Sequence, residues 1–182
     1  MRPSNHVPPH GLTATVRHYI GDLVYGANDG LVTTFAAVAG VEGGALSALT
    51  VLIVGGANLV ADGLSMGIGN YLAIRARESA REMDNLPEDE AEPIRHGVAT
   101  FVAFVTIGAI PLLPYLLGVA APFRGWSSAG LTLACLFVLG AARGVVTGKQ
   151  WWATGLEVLT LGAMAGAAAY GAGALIAWAV HR

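Results

Sequence analysis

The sequence predicts an all-α integral membrane protein with five transmembrane helices and a cytoplasmic N-terminus. Three observations carry that prediction. Of 182 residues, 54% are hydrophobic and only 12% charged, and the mean hydropathy of +0.59 lies above that of an ordinary water-soluble globule. Five windows reach the roughly 20 mainly apolar residues needed to cross about 30 Å of hydrocarbon. Lysine and arginine then fall almost wholly on one side of the layout. The 25 glycines sit inside the apolar runs and show no collagen-like period. Cys135 alone supports neither a disulfide framework nor a cysteine zinc site. Ten basic residues against twelve acidic ones leave no basic face for nucleic acid. No HExxH, Walker, nucleophile-elbow or dinucleotide pattern is present, so neither enzyme chemistry nor a resident cofactor is expected.

Residues 1–19 form a polar cytoplasmic tail with Pro8 and Pro9 side by side and without the apolar core of a signal peptide. Its histidines, His6, His10 and His18, have no fixed ligand spacing and are expected to be solvated. The first helix is placed at Ile20–Val41 and the second at Leu46–Ile74, broken by Glu42, Gly43 and Gly44; together residues 20–74 carry the polar positions discussed below. Residues 75–97 are a short cytosolic loop, helix-like from Arg75 to Met83 and followed by Pro87 and an acidic run. Residues 98–182 supply three further helices, Val98–Val119, Ser127–Val146 and Thr154–Val180, separated at Arg124–Gly125 and Lys149–Gln150. In this layout Arg2, Arg17, Arg75, Arg77, Arg81, Arg95, Arg143 and Lys149 share one side and Arg124 and Arg182 the other, which puts the N-terminus inside. Trp126, Trp151, Trp152 and Trp178 fall near helix ends, as interfacial anchors do. Glycine pairs at spacing four, such as Gly26 with Gly30 and Gly63 with Gly67, favour close helix contact.

An ionisable group at bilayer depth costs at least about 2.5 kcal/mol and therefore calls for a partner, a wet cavity or a ligand. Asp29 lies mid-depth in the first helix and Asp62 mid-depth in the second. Asp22 and Glu157 lie nearer helix ends, where snorkelling to the interface is cheap. Asn58, Asp62, Met66 and Asn70 are spaced by four and form one polar stripe on the second helix. Facing it, Asp22, Asp29 and Thr33 share a face of the first helix, and two such stripes would line a hydrophilic path. Carboxylate and amide oxygens suit hard or borderline divalent cations, and a thioether adds a soft donor that points toward Fe²⁺, Mn²⁺ or Co²⁺. Protonation of the carboxylates could release the ion. Two plainer readings stand beside this one: Met66 as a gap-filler, and the aspartates as buried hydrogen-bonded groups.

The run Gly26-Ala27-Asn28-Asp29-Gly30-Leu31-Val32-Thr33-Thr34, followed by Ala39-Gly40-Val41, resembles the first-helix signature of the vacuolar iron transporter family. Leu64-Ser65-Met66-Gly67 with Gly69-Asn70-Tyr71 is similar to that family's second-helix motif. The resemblance is strong over residues 18–82 and architectural beyond them. It implies a homodimer whose path runs between protomers, lined by Asp29 and Met66, that moves Fe²⁺ or Mn²⁺ out of the cytosol in exchange for protons. Two departures bear on this. Asn70 stands where members commonly have glutamate, and the long glutamate-rich domain between helices two and three is here reduced to residues 75–96. Glu78 and Glu82, four apart, could still gather metal at the mouth or could instead pair with Arg75, Arg77 or Arg81. The expected metal set is therefore Asp29, Asp62 and Met66 with Asn58 and Asn70 as auxiliary donors and Glu78 and Glu82 at the mouth. The expected membrane is a bacterial inner membrane. The rival readings are a non-transporting scaffold or accessory subunit and a carrier of the same build for another solute.

Overall fold

Prolines punctuate the chain. None lies between Pro9 and Pro87, and that interval folds into two long helices, α1 (Leu12–Gly43) and α2 (Ala48–Met83). The computed structural model describes residues 10–181. Pro93 opens α3 (Pro93–Gly108), as its fixed φ and missing N–H suit a first turn. Pro111 and Pro114 then break the chain after α3 into a 3₁₀ turn (Ile110–Leu112) and the short α4 (Leu113–Leu116). Pro122 lies in the first turn of α5 (Ala121–Val146), and α6 (Trp151–Val180) closes the bundle without a proline.

Several boundaries differ from the sequence reading. α1 begins at Leu12 rather than Ile20, so His18 lies within a helix and not on a solvated tail. His6 lies outside the described residues, and His10 is exposed just before α1. The break expected at Arg124–Gly125 falls inside α5; the turn comes earlier, where Gly118 takes a positive φ of 68° and Val119 N–H reaches back to the Pro114 carbonyl. α2 ends in the same manner with Asn85 at φ 55°, the Leu86 N–H returning to the Arg81 carbonyl.

α1 is the central element and touches α2, α3, α5 and α6. It comes against α3 backbone to backbone. A Cβ on Gly30 would stand 2.5 Å from the Phe104 carbonyl oxygen, and one on Gly26 would meet the Thr100 carbonyl. α2 and α3 meet likewise at Gly67 and Gly97, where an added Cβ would lie 2.7 and 2.6 Å from the opposing carbonyl oxygen. Leu31, Val51, Phe104 and Leu136 are fully buried, and Val51 and Phe104 belong to one cluster with Leu59, Leu112 and Tyr115.

Outside this core the surface is apolar. Ile53, Val60, Leu64, Ile68 and Leu72 of α2 and Leu161, Leu175, Ile176 and Trp178 of α6 are exposed. Among the described residues four helical segments are long and apolar enough to cross a bilayer: α2, Pro93–Leu116, α5 and α6. α1 is 32 residues long and carries Arg17, Asp22, Asp29 and Glu42. The protein is an integral membrane protein, with hydrocarbon-facing side chains over its outer surface.

Candidate functional site

α1 carries acidic groups at two depths, and the structure treats them differently. Deep in the bundle Asp29 is half-buried, and Asp62 of α2 stands within electrostatic reach of it. Among the described residues neither carboxylate receives a hydrogen bond or an ion pair; the Thr33 hydroxyl beside them donates to the Asp29 main-chain carbonyl at 2.8 Å, which leaves the side chain unengaged. Two like charges held together without a cation repel, and this site has none of its own.

The α2 stripe of Asn58, Asp62, Met66 and Asn70 is half-buried along its whole length, between a buried row (Gly55, Leu59, Gly63, Gly67) and the exposed apolar face. Its members have different surroundings. Met66 rests against the apolar cluster around Leu59 and Phe104. Asn70 uses its amide nitrogen to bind Asp22 Oδ1 at 2.7 Å and Thr100 Oγ1 at 2.8 Å, tying α2 to α1 and α3.

Asp22 therefore does not snorkel. Its side chain is 16% exposed, and its second oxygen lies 2.6 Å from His96 Nδ1. His96 Nε2 in turn faces Glu90 Oε2 at 3.0 Å, and His18 Nε2 approaches the same oxygen at 3.2 Å. Glu90 is 7% exposed and His96 12%. Glu90 Oε1 accepts the Glu92 N–H at 2.9 Å, which turns Oε2 toward the two imidazoles. Tyr19 stacks edge-on against both rings with centroids at 4.7 Å and walls the cluster.

Glu78 and Glu82 lie at the end of α2 beside this cluster. Glu78 accepts the main-chain N–H groups of Asp89 and Glu90, each at 3.2 Å, and stands 4.0 Å from Arg81. It thereby fixes the stretch that presents Glu90. Arg81 braces the same stretch through the Pro87 carbonyl at 3.0–3.1 Å. Glu82 is exposed and lines a groove with Glu78, Glu88 and Glu90. Glu157, expected to snorkel, pairs with Arg143 across α5 and α6 at 2.7 Å. Sequence reasoning missed Glu90 and His96 and set His18 aside. One signal was present: His18 and Asp22 are four apart and so share a helix face.

The VIT family model matches residues 20–85 and 74–174. The chain belongs to the VIT family. Relatives in this family include the vacuolar iron transporter 1 of Arabidopsis thaliana, 29% identical over 213 residues that cover 86% of this chain and 85% of the relative. The vacuolar iron transporters of Toxoplasma gondii, 28% identical over 90% of this chain and 76% of the relative, and of Centaurea cyanus, 27% identical over 92% and 91%, are similar at the same level. An alignment of 213 positions to a chain of 182 means that the VIT relative holds residues without a counterpart here. The two matched segments of the family model meet at residues 74–85, the end of α2, where the sequence reading places a shortened segment. These relatives are eukaryotic proteins named for the vacuole, and they give no support to a bacterial inner membrane.

Proposed function

We propose that the protein is a transporter of divalent transition-metal cations, Fe²⁺ or Mn²⁺, that moves them out of the cytoplasm in exchange for protons. The observation that carries this reading is the Asp29–Asp62 pair: two half-buried carboxylates at bilayer depth with no cation or donor from the described chain. A passing dication would satisfy both, and protonation would discharge them when it leaves. Met66 and Asn58 lie on the same α2 stripe and complete an oxygen and thioether set suited to a borderline ion. The names of the VIT relatives favour iron. The stripe is half open along its length, as expected where a second copy of the chain completes the path, and a homodimer is part of the proposal. The N-terminus and residues 84–92 face the cytoplasm, with α1 as the fifth crossing.

A non-transporting scaffold accounts for Asp22, Asn70 and Thr100, which do hold three helices together, but gives Asp29 and Asp62 nothing to do. The test is flux in proteoliposomes containing a metal-sensitive dye. Wild-type protein admits Fe²⁺ or Mn²⁺, while Asp29→Ala and Met66→Ala each abolish uptake and retain the wild-type elution volume. Unchanged flux in both variants would refute the assignment.

A further inference from the structure

A second metal position is built at the other end of α1, outside the predicted metal set. We propose that His18, Glu90 and His96 form a binding site for a borderline divalent cation, with Asp22 as the residue that orients His96. The proposal rests on the transport reading only for its place in a path; the site itself is argued from geometry.

The donor atoms His18 Nε2, Glu90 Oε2 and His96 Nε2 lie within 4.8 Å of one another. A metal held at about 2.0–2.2 Å by imidazole nitrogen and carboxylate oxygen sets neighbouring donors about 3.3–3.5 Å apart in a tetrahedron. The observed separations of 3.0 and 3.2 Å about Glu90 Oε2 need only a small expansion to meet that spacing. Two imidazoles and one carboxylate are the ligand set of an open zinc-type site, which leaves a fourth position for water or an incoming group.

The arrangement around His96 fixes which atom it presents. Asp22 Oδ2 lies 2.6 Å from Nδ1, and an ionised carboxylate can only accept, which makes that nitrogen the donor. A neutral His96 then directs the Nε2 lone pair at a carboxylate oxygen, an acceptor facing an acceptor, unless a cation stands between them. Protons on the two Nε2 atoms would also satisfy their contacts with Glu90 Oε2; a metal would join the three donors in one centre. Asp22 and Glu90, ionised, carry two negative charges that a single dication balances. The carboxylate–imidazole–metal relay created by Asp22 is a recurrent means of fixing a ligating ring. Asp22 is held in turn by Asn70, the last member of the α2 stripe. From Asp22 to Asp29 is seven residues, or about 10 Å of helix rise. The site is thus placed to receive an ion one step before the deeper pair.

The experiment uses the purified full-length protein in nanodiscs with Co²⁺ as the probe. Co K-edge X-ray absorption of the wild type should show the multiple-scattering signature of two imidazoles. Because a residue as buried as His96 could matter for folding, His18→Gln, at the more exposed edge of the cluster, is measured beside His96→Gln, and elution volume verifies both. Each should lose one imidazole and weaken Co²⁺ binding at least tenfold. Asp22→Asn should keep both imidazoles and weaken binding about 10–100-fold. Asp29→Ala, which removes the deeper donors, should retain the two-imidazole signature in the Co²⁺ that stays bound. Co²⁺ bound without imidazole, or an imidazole count unaltered in His18→Gln, overturns the site and leaves a protonated hydrogen-bond cluster. Flux measured on the same preparations separates the two readings. Imidazole-bound Co²⁺ in a protein without flux keeps this site and sinks the transporter, while flux without imidazole-bound Co²⁺ does the reverse.

Discussion

The two acidic levels of α1 differ by only two helical turns and yet are built on opposite plans. Asp22 is locked by Asn70 and by His96, with Thr100 sharing the same amide, so three helices converge on one carboxylate. Asp29 has Asp62 for a neighbour and no donor among the described residues. The first arrangement stabilises the folded chain, because buried polar groups that find partners hold the elements presenting them. The second works against stability, because like charges are brought together in a medium that screens them poorly. A chain keeps such a pair only where something else meets it, and the contrast gives a way to sort structural from functional carboxylates without reference to kinship.

Substitutions at the two levels should therefore separate stability from activity. The largest effect is expected for Asp29→Asn, which should abolish metal flux and leave the melting temperature in detergent equal to or above that of wild type. A marked fall in melting temperature would place Asp29 with Asp22. Next is Asp22→Ala, which strips the acceptor from the half-buried Asn70 and His96 and should cost about 1–3 kcal/mol, read as an earlier thermal transition. Gly30→Ala tests the contact between α1 and α3: its Cβ would collide with the Phe104 carbonyl at 2.5 Å, a backbone clash costing about 1–3 kcal/mol. At the opposite end of α1, Tyr115 donates to Glu42 at 2.7 Å. Tyr115→Phe should cost about 0.5–1.5 kcal/mol in the same assay. Smallest is Arg143→Ala, since the Arg143–Glu157 pair is 43% and 56% exposed and such pairs contribute less than about 1 kcal/mol.

The helices were legible because lipid demands long apolar runs, which polar and glycine residues such as Glu42, Gly43 and Gly44 interrupt. Their starts were less so: residues 12–19 are too polar to register as a span, and nothing local in them shows that His18 and Tyr19 will meet His96 of α3 and that His18 will meet Glu90. The third crossing was read as one helix because hydropathy passes smoothly over Pro111 and Pro114, while the backbone does not. Asp29 and Asp62 were visible from depth alone. Asn70 was visible as a member of the stripe, but its partners were not, since Asp22 is 48 residues away and Thr100 30. Glu90 escaped notice because a carboxylate in an acidic run looks solvated, and only Glu78 and Arg81, reaching back across the loop, turn it inward. His96 stands 74 residues from Asp22, a separation at which no spacing rule operates.

The seams at Gly26, Gly30, Gly67 and Gly97 have a mechanical consequence. Helices that touch through carbonyls rather than through side chains leave no room for a Cβ, so α3 is held against α1 and against α2 at backbone distance. A single methyl at any of these four positions would therefore be felt by two helices at once.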